Sequence, residues 1–315
     1  MKRILIAIPA VTLMLFTQDS VYAISKDDDV IGNVTRAFKE LSHGANRPAT
    51  GEDDARSKRR TRDLGPGMNE SPERVPVGAF PWMVALTANR TAPQEGYICA
   101  GVLVAPNWVL TAAHCLAGRM RSWPVETEFY ILTKTSKLAE PGPTAGVTKI
   151  VPHPDYDERA LTHDLALLKI DGAEGIAPIR LKGTPIAGRE GAIAQILGWG
   201  VTNRTLLQKA AGEHLQLLQA AVVGERCFSP GNYRSLRNSG VFCAESILKF
   251  HDTCYRFGGG PVLLHDAAGQ RYLGGLVSWS AACHSDVKKP NIYLDVQAHL
   301  PWIESVIGGS TKSSP

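Results

Sequence analysis

The side chains best equipped for chemistry in this chain are its cysteines and a histidine that touches one of them in sequence. Six cysteines (Cys99, Cys115, Cys227, Cys243, Cys254 and Cys283) and His114, adjacent to Cys115, offer sulfur and imidazole groups. Such groups serve as metal ligands or nucleophiles. The spacing argues against both. No C-x-x-C pair occurs and no cysteine lies at a Cys/His zinc spacing, so no structural metal is expected. An even number of cysteines in an exported chain predicts disulfides instead, and six cysteines leave fifteen connectivities open. A histidine beside a cysteine is, taken alone, more often structural than catalytic.

Export is read from the N-terminus. Lys2 and Arg3 precede the apolar run Ile4 to Phe16, and Val21-Tyr22-Ala23 places small residues where signal peptidase needs them, so residues 1–23 are expected to be a cleaved signal peptide. The run is too short to span a bilayer comfortably, and no later stretch qualifies. Val102 to Leu110, for instance, is broken by Pro106 and Asn107. The protein is therefore expected to be secreted, or periplasmic in a Gram-negative host. Sequons at Asn33, Asn69, Asn89 and Asn203 would accept glycans in a eukaryotic host.

Stepping outward to the elements that must hold these groups, 315 residues are enough to bury a substantial core. Residues 24–74 are poor in large apolar side chains and read as a propeptide or flexible linker, with one short amphipathic helix over Val30–Leu41. Part of the +4 net charge sits there, in Arg56, Lys58, Arg59, Arg60 and Arg62. That run is either a processing site or a solvated charge run, and it implies no nucleic-acid or membrane partner. From Ala79 onward short β-rich runs recur between turn signals: Trp82–Leu86, Ile98–Val104, Trp108–Thr111, Glu128–Leu132, Leu165–Ile170, Ala192–Leu197, Val262–Leu264 and Leu273–Ser278. They predict an all-β sandwich or barrel. Apolar spacing over residues 296–308 predicts a terminal helix docked on one face, followed by a disordered tail at 309–315.

One string then changes the weight of His114. The run from Cys99-Ala100-Gly101 through Leu110-Thr111-Ala112-Ala113-His114-Cys115 closely resembles the segment around the catalytic histidine of chymotrypsin/trypsin-like serine proteases. Phe80-Pro81-Trp82-Met83-Val84-Ala85-Leu86 resembles that family's first core strand. His163-Asp164-Leu165-Ala166-Leu167-Leu168-Lys169 resembles its triad-aspartate strand, and Gly198-Trp199-Gly200 and Val277-Ser278-Trp279 follow in order. The resemblance covers about residues 69–308. It implies two packed six-stranded antiparallel β-barrels, over about 75–180 and 181–297, with the site between them and a C-terminal helix. It also implies the pairings Cys99–Cys115, Cys227–Cys243 and Cys254–Cys283.

Serine acyl transfer needs a hydroxyl nucleophile, an imidazole base, a carboxylate to orient it and an oxyanion hole. By resemblance His114 and Asp164 are base and orienter, and Ser278 hydrogen-bonds the carboxylate. The nucleophile segment departs from the family. Where the family reads Cys-x-Gly-Asp-Ser-Gly-Gly-Pro, this chain reads Cys254-Tyr255-Arg256-Phe257-Gly258-Gly259-Gly260-Pro261. Gly258 replaces the serine. Arg256 replaces an oxyanion-loop glycine. Phe257 replaces the aspartate that pairs with the α-amino group freed by zymogen cleavage, so that loop is expected to lack its anchor. The family's new N-terminus falls on Asn69-Glu70-Ser71-Pro72, with no basic residue before it, and a cut after Arg74 would free Val75 too close to Pro81 to reach the pocket. Asp252 matches the base of an Arg/Lys-selective pocket, but Ser280 and Asn291 stand where two wall glycines keep that pocket open. Arg256 could also fold back onto Asp252. The resulting expectation is a non-catalytic protease homologue, without cofactor or metal, that binds an extracellular protein: a protease, an inhibitor or a surface protein. The alternative is an active endopeptidase cleaving after Arg or Lys.

Overall fold

A computed structural model of the chain describes residues 72–117, 128–160, 162–186, 189–201, 214–229, 232–248, 253, 256–279 and 289–309. Six of its strands, β2 (Met83–Thr87), β3 (Tyr97–Ala105), β4 (Trp108–Thr111), β5 (Tyr130–Leu132), β6 (Thr144–Pro152) and β7 (Ala166–Ile170), close a barrel in the order β2-β3-β4-β7-β6-β5. All its pairs are antiparallel. Closure removes the exposed edges that would otherwise template aggregation. The Pro106-Asn107 turn between β3 and β4 works because Asn107 takes a left-handed φ of 60°, which asparagine tolerates.

The second barrel is built from β8 (Ile193–Gly198), β9 (Gln216–Val223), β10 (Val241–Ser246), β11 (Pro261–His265), β12 (Arg271–Trp279) and β13 (Asn291–Asp295). The order β9-β10-β13-β12-β11-β8 is closed by a β8–β9 ladder. Its interior holds Ile196, Leu218, Phe242, Val262, Tyr272 and Tyr293, and with them Phe257. Two short helices, α1 (Pro93–Gly96) and α2 (His114–Ala117), and the terminal α3 (Val296–Gly309) complete the described elements. Asp295 starts α3 by accepting the Gln297 N–H at 2.9 Å, an N-cap interaction, and α3 buries Val296, His299 and Ile303.

The expected strands appear with small shifts at their ends. The linker boundary does not hold as expected. Glu73–Arg74 forms a strand, β1, antiparallel to β9, Val75 is buried, and its N–H donates to Leu215 O at 2.9 Å. Residues 73–75 are thus stitched to the second barrel, because β10 pairs only with residues 220–223 of β9 and leaves residues 216–217 open on that side. The Val30–Leu41 helix lies outside the described residues.

Candidate active site

His114 opens α2 directly after β4, and Asp164 precedes β7, the strand that pairs with β4. That ladder brings two residues 50 positions apart into contact. His114 Nδ1–H donates to Asp164 Oδ2 at 2.7 Å and the His114 backbone N–H donates to Asp164 Oδ1 at 2.8 Å. Ser278, near the end of β12, donates its Oγ–H to Asp164 Oδ2 at 2.6 Å. Asp164 is buried, at 3% exposure, so all three bonds are charge-assisted in a poorly hydrated place and roughly twice as strong as neutral ones. Burial works against a charged imidazole at His114, but the Asp164 charge and hydrogen bond, with Glu158 behind them, outweigh it and raise its pKa. The base-and-orienter half of an acyl-transfer site is complete.

Gly258 faces this imidazole. A Cβ built on Gly258 would stand 2.7 Å from His114 Nε2 and 3.1 Å from Cε1, inside van der Waals contact. The ring therefore fills space that a side chain at 258 would need. Gly258 itself is pinned, its carbonyl accepting the Ala100 N–H at 2.9 Å and so tying the nucleophile segment to the first barrel. Gly259 must be glycine: its φ is +70°, and a Cβ there would lie 2.3 Å from Ala100 O.

The loop before Gly258 is held differently from expectation. Phe257 is completely buried inside the second barrel, its ring lying on Gly198, where an added Cβ would be 2.5 Å from Phe257 Cδ1. The anchor that the aspartate supplies in the family is replaced by apolar packing, which needs no partner charge. Arg256 keeps the left-handed conformation suited to the family's glycine, with φ 68°. It is held there from β3: Tyr97 OH donates to Arg256 O at 3.0 Å, Arg256 Nη2 donates to Tyr97 O at 3.3 Å, and the guanidinium lies 5.7 Å from the Tyr97 ring centroid. Burial raises the Tyr97 phenol pKa, so it stays a neutral donor. Asp252, the other partner considered for Arg256, lies outside the described residues, as do Ser280, Cys254 and Cys283.

Asn291, which the resemblance sets at a wall of the specificity pocket, opens β13; it is fully buried and donates Nδ2–H to Thr253 Oγ1 at 2.8 Å, with Thr253 Oγ1 3.3 Å from Tyr293 OH. Two of the implied disulfides, Cys99–Cys115 and Cys227–Cys243, are formed, and Cys99–Cys115 brackets His114. The roles of Tyr97 and Thr253 were missed in the sequence. Tyr97 is 159 positions from Arg256, and no local pattern joins them.

Comparison with known proteins agrees with the two-barrel fold. A family model described as Trypsin matches residues 71–303. Coagulation factor XII of Bos taurus is 31% identical over 246 residues, which is 72% of this chain and 37% of that protein. Serine protease 56 of Homo sapiens is 29% identical over 248 residues, 76% of this chain and 39% of that protein. Phenoloxidase-activating factor 3 of Holotrichia diomphalia is 28% identical over 256 residues, 74% and 70% respectively. The chain spans less than two fifths of the length of the first two.

Proposed function

The chain belongs to the trypsin family of serine proteases, and on that premise we propose that it is a secreted member that binds protein without cleaving it. Its role would be that of a cofactor, decoy or regulator in an extracellular proteolytic system, with a protease, an inhibitor or a surface protein as partner. The observation that carries this reading is Gly258: beneath an oriented imidazole, the position of the attacking oxygen has no side chain.

Magnitudes support the reading. Loss of a triad member leaves a residual of about 10³–10⁴ over water in such enzymes. Ser278 offers no substitute, because its hydroxyl is engaged by Asp164. Asn291, bonded to Thr253 at the wall position implied by the family, also works against a long basic side chain entering there. Export rests on the leader-like residues 1–23. No helix among the described residues is long and apolar enough to cross a membrane.

A second reading, an active endopeptidase cleaving after Arg or Lys, is favoured by the complete His114–Asp164–Ser278 network. One experiment separates the two. Purified protein, treated at any processing cut, is exposed to a fluorophosphonate probe beside its His114→Ala and Gly258→Ser variants. The expected result is no covalent labelling of the natural protein. Labelling that His114→Ala abolishes would overturn the non-catalytic reading. Gly258→Ser is expected to stay without robust peptide cleavage, because its Cβ must first displace the His114 ring. For the binding role, crosslinking in the native secretion should yield a complex of fixed stoichiometry, and finding only free chain would count against it.

A further inference from the structure

A cluster of imidazoles outside the His114–Asp164–Ser278 network includes His163, the residue before Asp164. Three histidines far apart in sequence meet beneath the end of the loop that leads into β7. His153 and His163 stack with ring centroids 4.7 Å apart, and His299 of α3 stands edge-on to both, at 5.6 and 5.4 Å. Together with Trp302 they line a solvent-open cleft of about 290 Å³. Each neutral imidazole carries a lone pair that needs a donor, a water or a ligand to satisfy it.

Two further observations point to an occupant. His163 Nδ1 is buried and has no hydrogen-bond partner, an orphan acceptor or donor of the kind that native interiors avoid. Its backbone is also held in the left-handed region, with φ 51°, a conformation a histidine adopts at some cost. The Asp155 carboxylate completes a set: one ligand atom each from His153, Asp155 and His163 lies within 4.8 Å of the other two. His299 frames the cleft with its Nδ1–H given to Asp295 O at 2.8 Å and is not among the ligand atoms within 4.8 Å of one another.

We propose that His153, His163 and Asp155 form a binding site for a borderline divalent cation such as zinc, with water completing the shell. The ligand chemistry selects the ion: two imidazole nitrogens and one carboxylate suit zinc, whereas calcium takes six to eight oxygens. Zinc–nitrogen bonds of about 2.0–2.1 Å put tetrahedral ligand atoms about 3.4 Å apart. The set therefore has to draw in by at most about 1.4 Å, which the exposed Asp155 side chain can supply. Ligation through His153 Nδ1 would displace only the 3.2 Å bond it accepts from the Asp155 N–H. The site needs no catalysis at residue 258 and stands or falls apart from the proposed function. It would clamp the 153–163 loop, which carries Glu158, to the strand that presents Asp164.

Sequence spacing concealed it. His153 and Asp155 are two residues apart, but His163 arrives only when the loop folds back, where Asp157 and Thr162 bridge. The test uses the full secreted chain, stripped with chelator and dialysed. Calorimetric titration with zinc alone is expected to reach one equivalent per chain, and cobalt(II) should give the visible absorption of a site with few ligands. His163→Ala and, independently, the exposed Asp155→Asn should each weaken zinc binding at least tenfold, while His265→Ala leaves it unchanged. Circular dichroism checks that each variant is folded, and Asp155→Asn, on the surface, keeps the test open if His163→Ala is not. Absence of stoichiometric zinc binding, or undiminished binding in a folded Asp155→Asn, would overturn the proposal.

Discussion

The most informative perturbation is at Phe257, which takes the place of the family's activation aspartate. Its ring is fully buried in the second barrel. A phenylalanine side chain hides on the order of 150–200 Å² of apolar surface, worth roughly 4–5 kcal/mol at about 25 cal/mol per Å². Phe257→Ala retains a methyl group's share of that but opens a cavity, so the expected loss of stability is about 3–5 kcal/mol. Urea unfolding followed by tryptophan fluorescence measures it, provided the m-value is unchanged. The contact with Gly198 supplies an internal control. Gly198→Ala would push a Cβ to 2.5 Å from Phe257 Cδ1, an overpacking that costs about 1–3 kcal/mol alone. With the ring removed, the same methyl should enter the space it leaves, so the two changes are expected to couple by at least about 1 kcal/mol. A loss below about 1 kcal/mol for Phe257→Ala, or strict additivity of the pair, would refute the view that apolar packing has replaced the ion pair as the anchor of this loop.

Two further outcomes follow from single side chains. Burial pushes the Asp295 carboxyl from the ordinary carboxylate range up to about 6, against the bonds it accepts from Gln297 and Ala298 N–H. The folded chain holds this proton while the unfolded chain releases it, so the group favours the fold below about pH 4, that advantage is lost as pH rises towards 6, and the loss is constant above. Asp295→Asn keeps an N-capping oxygen without the charge and should be more stable than the natural protein at pH 7.5, by at most about 3 kcal/mol, with the gap closing toward pH 4; a gap independent of pH would contradict it. Asn291→Gly removes the amide that bonds Thr253 at the expected pocket wall and should raise affinity for benzamidine at least tenfold by calorimetry. Unchanged binding would mean that Asn291 is not what fills the pocket.

Some of the architecture was legible because its signal is local. The β-rich runs with Gly, Pro and Asn between them predict an all-β fold, and the strings around His114, Asp164 and Ser278 carry the resemblance that implies two barrels. Two of the strands that escaped notice, β9 and β6, lack a clear local signal. β9 reads Gln-Leu-Leu-Gln-Ala-Ala-Val-Val, a composition equally at home in a helix, and only pairing on both sides with β8 and β10 makes it a strand. β6 is half exposed and carries charge and proline, so its alternation is blurred.

The identity of the residue at 258 needed no structure: a glycine has no hydroxyl wherever the chain takes it. Where Phe257 goes, and what holds Arg256, did need one. A phenylalanine in place of an aspartate reads in sequence as a broken ion pair and a loosened loop; in three dimensions the barrel interior receives the ring, and Tyr97, from the other barrel, holds its neighbour. The same is true of His153, His163 and His299. Residue type sets what a side chain is able to do, and sequence carries that in full. Contact between residues a hundred positions apart depends on which surfaces close over which, and that is decided only when the chain packs.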